Sequence, residues 1–286
     1  MCDEPTPEEL AATAISRRRF GLVGGAAVLA ACHGTGAAGA GATVSESAVT
    51  VTTPDGTADA VFFHPAKGKH PGIVMWPDIA GIRDANKAMA RRLAAAGYAV
   101  LLVNQYYRSA KAPIMATLSE WRTPEGQAKL KPMIAAINPA GTTRDAAAFV
   151  AWLDRQAAVD TRRGIGSNGY CMGGPFTVRT ALAAPSRVRA AASLHGAALV
   201  TDGPDSPHRL LGQTKASFLF AIARNDDARS PGDKDALKAA AAAAGRKAEV
   251  EVYVADHGWT VPDAPVYNQA EAERAWSRML ALFATL

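Results

Sequence analysis

Six consecutive residues, Gly169-Tyr170-Cys171-Met172-Gly173-Gly174, set a thiol among glycines at the junction of two elements. Gly164 to Asn168 reads as a short strand before them, and Pro175 to Leu182 as a helix after them. A Gly-x-Cys-x-Gly between strand and helix is the cysteine form of a nucleophile elbow. The bend is sharp, so residues without a Cβ are required on either side of the nucleophile. The helix N-terminus favours a thiolate at that point. A lone thiol is most often a small buried hydrophobe, but core packing does not call for glycines flanking it on both sides. Cys2 and Cys32 lie in the N-terminal segment, which leaves Cys171 alone in the folded domain and without an internal disulfide partner.

A nucleophilic thiol needs a base, and the base needs a group to orient it. Of the six histidines, His257 follows the last expected strand, in Asp256-His257-Gly258-Trp259, and is the expected general base. The acid is expected in Arg224-Asn225-Asp226-Asp227, directly after the strand Ser217 to Ala223. Either aspartate can serve; Asp226 is favoured because it is closer to the strand end. Neighbouring side chains face apart, so the other carboxylate is expected to be solvated or to cap the loop. Two backbone N–H groups are needed to hold an oxyanion. Met172, directly after the thiol, supplies one. Ile79, in the loop Pro77-Asp78-Ile79-Ala80-Gly81-Ile82, is expected to supply the other. His195, at the end of the expected strand Ala190 to Leu194, reads either as a pocket wall or as a satisfied structural histidine.

These residues need a scaffold that collects strand ends on one edge. Two alternating runs, Ala48 to Thr52 and Ala58 to Phe63, flank Pro54-Asp55-Gly56 and predict an antiparallel hairpin. Continuous apolar strands follow at Gly72 to Trp76, Tyr98 to Val103, Ala190 to Leu194, Ser217 to Ala223 and Ala248 to Val254. Helices are expected at Arg83 to Ala95, Thr143 to Arg155, 232–244 and 267–284. This pattern predicts a mostly parallel central sheet with helices on both faces, the α/β-hydrolase fold, over residues 46–286. The stretch 104–141 is too long for a simple connection and is expected to be a lid or pocket wall.

The nucleophile–acid–histidine order, with Gly169-Tyr170-Cys171-Met172-Gly173-Gly174, Asn225-Asp226 and His257-Gly258-Trp259, resembles the dienelactone hydrolase family over about residues 46–286. The resemblance implies a Cys171-His257-Asp226 triad and oxyanion amides at Met172 and Ile79; the sequence has no Cys/His spacing of metal-ligand type and no phosphate-binding glycine loop, so no metal and no cofactor are expected. It implies hydrolysis of a small lactone or ester through a thioester on Cys171. Founding members carry a glutamate beside the resting thiol; this chain has Asp78, one methylene shorter, which either tunes Cys171 or only bonds its own loop. Dienelactone-cleaving members also resemble one another in an arginine four residues after the histidine, where this chain has Val261. Arg108, Arg122 and Arg229 are the candidate replacements for that carboxylate clamp. The resemblance leaves open a carboxylesterase, thioesterase or peptidase-like acyl hydrolase. A non-catalytic lipoprotein with Cys171 as a redox-sensing thiol is the alternative of another class.

The N-terminus reads as an address. Ser16-Arg17-Arg18-Arg19-Phe20-Gly21-Leu22 resembles a twin-arginine export signal, and the apolar run Val23 to Ala31 is too short to span a bilayer. Leu29-Ala30-Ala31-Cys32 resembles a lipobox, so residues 1–31 are expected to be removed and Cys32 lipidated; cleavage within Gly34 to Ala42 is the alternative. Residues 32–45 then form a flexible tether. The expected protein is exported, periplasmic or lipid-anchored, and monomeric. The net charge is +5, dispersed without a basic stripe or interleaved aromatics, which points away from nucleic acid.

Overall fold

The computed structural model describes residues 43–286. The arginine-rich start, Cys2, Cys32 and the Gly/Ala stretch through residue 42 lie outside the described residues. Strand β1 (Val44–Thr53) begins inside the segment expected to be tether. It pairs antiparallel with β2 (Gly56–Pro65) across Pro54 and Asp55. Both strands outrun the expected hairpin because Thr53 ties off the turn: its Oγ1 donates to the Gly56 carbonyl and accepts from the Asp55 N–H.

The rest of the sheet comprises β3 (Gly72–Trp76), β4 (Ala99–Val103), β5 (Ile165–Tyr170), β6 (Val188–Leu194), β7 (Ser217–Ala223) and β8 (Ala248–Tyr253). Its strand order is β1-β2-β4-β3-β5-β6-β7-β8, antiparallel up to β4 and parallel beyond. Every residue of β3, β4 and β5 is buried, and β3 and β4 accordingly read as continuous apolar runs rather than alternating ones. The helices are α1 (Asp84–Ala95), α2 (Pro124–Ala135), α3 (Pro139–Leu153), α4 (Gly174–Ala183), α5 (Pro207–Leu210), α6 (Arg224–Arg229), α7 (Asp233–Ala243) and α8 (Gln269–Phe283).

Successive strand residues point to opposite faces, and each face has its own core. Val74 and Trp76 face Phe149 of α3, Val178 of α4 and Leu237 of α7. Ile73 and Met75 face Leu93 of α1 with Met279 and Phe283 of α8. Trp76 meets the rings of Phe149 and Phe176 edge-on at 5.5 and 5.3 Å and donates its indole N–H to Thr180. Burying each such aromatic contributes about 2–3 kcal/mol. The two faces clamp β3 and β5, whose carboxyl ends carry the oxyanion loop and the elbow.

The 104–141 stretch is more ordered than its polar composition suggests. Thr123 caps α2 and Asn138 caps α3, each with proline at the first helical position. The Asn138 cap starts α3 four residues before the expected Thr143. Ile114, Met115 and Leu130 bury themselves with Tyr106 and Ala80 in a small third core against the oxyanion loop. No helix among the described residues is long and apolar enough to cross a membrane.

Candidate active site

Cys171 sits between β5 and α4 with φ +52°, a left-handed conformation that a residue bearing a Cβ adopts at a cost of about 1–3 kcal/mol. Its surroundings leave no alternative. A Cβ at Gly169 would lie 2.1 Å from the Gly173 carbonyl oxygen, and one at Gly173 would lie 2.6 Å from that of Pro77. At Gly174 a Cβ would fall 2.4 Å from the Cα of Gly196. The glycines are therefore fixed by close backbone approach on three sides. The Cys171 carbonyl accepts from the Ala197 N–H at 3.1 Å, and the Cys171 N–H donates to Nδ1 of His195 at 3.1 Å. Cys171 as a residue is half-buried rather than sealed in the core.

His195 is 1% exposed and both of its ring nitrogens are engaged. Because Nδ1 accepts, Nε2 carries the proton and donates to Thr260 Oγ1 at 2.8 Å. Burial, then the charge of neighbouring His257, pushes its basicity well below the ordinary imidazole value. It is a neutral ring under the elbow, packed 5.0 Å from the His257 ring and 5.1 Å from that of Trp259.

His257 follows β8, and its backbone N–H donates to Asn225 Oδ1 at 2.9 Å. Its Nδ1 lies 2.5 Å from Asp226 Oδ2, and Cys171 is within hydrogen-bonding reach of the ring. Burial opposes protonation of this ring. The hydrogen bonds and charges of Asp226 and Cys171 outweigh that, and its pKa rises to about 10. The segment after β7, expected to be a loop, is the short helix α6, which turns the two aspartates apart. Asp226 meets His257, while Asp227 takes Lys234 Nζ at 2.7 and 3.0 Å. Asp256, beside His257, pairs with exposed Arg224.

The Tyr106 hydroxyl ties the Ile79 loop to the elbow, since it lies 2.7 Å from the Ile79 carbonyl oxygen and 3.7 Å from the Met172 sulfur. The Ile79 loop is pinned from both sides. The Tyr106 hydroxyl donates to the Ile79 carbonyl at 2.7 Å, and Gln105 Nε2 donates to that of Asp78 at 2.8 Å. Gly81, with φ +75°, closes the turn through its N–H to the Asp78 carbonyl. These features put a thiol, an imidazole–carboxylate pair and the loop and elbow backbones at one sheet edge, a set able to perform acyl transfer.

The dienelactone hydrolase family model matches residues 58–286. The chain belongs to the dienelactone hydrolase family. A protein of Methylorubrum extorquens, provisionally named carboxymethylenebutenolidase, is 27% identical over 237 residues, covering 81% of this chain and 78% of its own. One of Escherichia coli with the same provisional name is 26% identical, covering 76% of this chain and 77% of its own. A crystal structure from Klebsiella pneumoniae, provisionally named dienelactone hydrolase, superposes with a TM-score of 0.74 at 22% identity, covering 85% of this chain and all (100%) of that one. The match shows the α/β-hydrolase fold. The family makes this chain a lactone or ester hydrolase.

Several expected tuning groups prove to be committed elsewhere. Asp78, 1% exposed, forms a two-pronged pair with Arg83 at 2.8 and 2.9 Å and accepts the Ala80 N–H; no hydrogen bond joins it to Cys171. It shapes the Ile79 loop rather than touching the sulfur. Arg83 also binds Asp263 through two bonds at 2.7 and 2.8 Å, and Asp263 accepts the Leu118 N–H. Burial alone would depress the guanidinium; the two carboxylates reverse that and hold it charged. Arg108 does not act as a clamp, because Asp145 and Asp55 occupy its guanidinium. Arg229 is largely solvent-exposed, 3.5 Å from Asp226. Val261 is fully buried and presents no polar group.

Beside Met172 opens a pocket of about 330 Å3. Ile134 and Ile137 of the 104–141 stretch form one wall and Phe176 of α4 another. That stretch therefore contributes a pocket wall. Sequence reasoning passed over Tyr106, Arg83 and the His195 bond to the elbow. Tyr106 was legible only as an aromatic in a long connection, and nothing in the spacing links Arg83 to Asp263, 180 positions away. Among the described residues no group of three His, Cys, Asp or Glu is placed to hold a metal ion.

Proposed function

We propose that this chain hydrolyses small lactones or carboxylic esters by acyl transfer to Cys171. The observation that carries the reading is the joint placement of a left-handed Cys171 and a His257 whose Nδ1 is held 2.5 Å from Asp226 Oδ2. With its proton passed to the imidazole, the sulfur is the nucleophile. The sulfur attacks the substrate carbonyl carbon, and the N–H groups of Met172 and Ile79 hold the oxyanion. As the tetrahedral species collapses, the C–O bond breaks and the His257 proton passes to the leaving oxygen. Water then attacks the thioester, His257 accepts its proton, and the carboxylic acid leaves with the thiolate restored. A thiolate is well matched to enol-lactones and aryl esters, whose oxygen leaves readily.

The absence of a cation at Val261 supports an ester or lactone other than dienelactone itself. We also propose that the protein is exported, with a lipid on Cys32; the Arg17-Arg18-Arg19-Phe20 and Leu29-Ala30-Ala31-Cys32 motifs support this. Mapping the first residue of the mature protein and labelling it with a radioactive fatty acid tests that part. The hydrolase reading is tested with a panel of lactones, aryl esters and thioesters before and after iodoacetamide. Turnover that vanishes with alkylation and in Cys171→Ala supports it. Full turnover in Cys171→Ala refutes it.

A further inference from the structure

A second cavity, of about 160 Å3, opens on the opposite face of the sheet from the pocket beside Met172, between α1 and α8. The two share no lining residue. Small side chains make the space: Ala88 of α1 with Ala272 and Ala275 of α8 are too short to fill the gap between the helices. Met89, Leu194 and Met279 complete an apolar wall. At the mouth, Arg92 donates to both carboxylate oxygens of Glu273 at 2.8 and 2.6 Å and lies 4.1 Å over the Trp276 ring. Its charge is thereby matched, and the cavity presents no free cation.

The inner end is polar. Tyr170, 3% exposed, and Thr260 line it. The Tyr170 hydroxyl accepts from Asn168 Nδ2 at 3.0 Å, and Thr260 Oγ1 accepts from His195 Nε2 at 2.8 Å. Each hydroxyl keeps its own proton for a further partner. Asn168 is fully buried and its Oδ1 has no partner, so the polar chain behind the elbow ends unsatisfied. An apolar volume of about 150 Å3 takes a benzene-sized ring. Hydroxyls at one end add a preference for a ring that carries an oxygen. A carboxylate is disfavoured, because Arg92 is already paired and burying an unmatched charge is costly.

We propose that this cavity is a binding site for a neutral monocyclic phenol or aromatic alcohol. The ring lies among the alanines of α1 and α8, and its oxygen meets the hydroxyls of Tyr170 and Thr260. The site stands apart from the chemistry at Cys171, and its occupancy does not depend on turnover.

The test is calorimetric titration of p-cresol into the wild type before and after iodoacetamide, with toluene and benzoate as probes of the hydroxyl and the charge. Saturable binding of p-cresol with a Kd of about 1 mM or below is expected, unchanged by alkylation of Cys171. Toluene should bind about 3–10-fold more weakly, and Tyr170→Phe should erase most of that difference. Benzoate should bind more weakly than either. Ala275→Leu fills the cavity from α8, while Ala88→Trp closes its mouth from the exposed side of α1 and makes little demand on the core. Each should weaken p-cresol by about 10-fold or more. Binding lost on alkylation would put the ligand in the Met172 pocket and overturn the inference. So would toluene bound as tightly as p-cresol, p-cresol bound undiminished by both alanine variants, or no saturable binding at all. Ester turnover, read separately, decides only the hydrolase reading.

Discussion

Asp226→Asn separates the two adjacent aspartates and measures how His257 is held. The His257 pKa stands at about 10 against an ordinary 6.5, a difference worth about 5 kcal/mol between its two protonation states. Burial works against that difference; the bonds and charges of Asp226 and Cys171 supply it. Asp226 is the first of the causes that raise it, so losing the carboxylate should lower the pKa of the ring. The asparagine keeps the shape, removes the charge and offers an N–H where the ring needs an acceptor. The upper limb of kcat/KM against pH, where His257 loses its proton, should move to lower pH from near 10. At neutral pH turnover should drop by about 10²–10⁴. Asp227→Asn, which frees only Lys234, should leave the limb in place. The same shift has a stability sign. The folded value lies above the unfolded one, so the stabilisation is complete below about pH 6.5 and fades as pH rises through 10. Denaturant midpoints measured from pH 6 to 10 should therefore decline less in Asp226→Asn than in the wild type. An upper limb unmoved in Asp226→Asn, or one shifted by Asp227→Asn instead, refutes the assignment.

Three further substitutions probe the supports. Gly173→Ala places a methyl 2.6 Å from the Pro77 carbonyl oxygen, which should cost about 1–3 kcal/mol in urea unfolding and reduce kcat more than it changes KM. His195→Phe keeps a ring but strands the Cys171 N–H, with an expected cost of about 1–3 kcal/mol; kcat should fall while the iodoacetamide-reactive thiol remains. Arg83→Met leaves Asp78 and Asp263 without their counter-charge, and calorimetry should show a loss of about 3–5 kcal/mol. A variant as stable as the parent would mean that solvent reaches Asp78.

The elements readable from sequence are those whose cause is local. Fully buried strands such as β3 and β4 announce themselves as apolar runs, and the elbow as glycines around a cysteine. The helix α2 was missed because its signal is a capping pair, Thr123 with Pro124, instead of an apolar stripe. Within the site, chain order after successive strands was enough to single out Cys171, Asp226 and His257. What those residues lean on was not legible. The His195 bond to the elbow spans 24 positions and the Arg83–Asp263 pair 180. Neither has a spacing rule, since both arise only when distant strand ends meet. Arg108 read as an available cation because nothing in its neighbourhood betrays Asp145, 37 positions on in α3.

Two imidazoles 5.0 Å apart would repel strongly if both carried a proton, so the fold must assign them different charge states. It does so with acceptors. His257 faces a carboxylate and a sulfur, and gains the proton; His195 receives an N–H from Cys171 and is buried, and stays neutral. The assignment is self-reinforcing, because the charge on His257 is itself one cause of the depressed basicity of His195. A neutral His195 can accept the Cys171 N–H, and that bond helps hold the left-handed backbone that presents the thiol to His257. Protonating His195 would turn its acceptor into a donor aimed at another donor and break the support. The elbow geometry and the protonation pattern are therefore one property, and Thr260, which accepts the Nε2 proton, belongs to it as much as the glycines do.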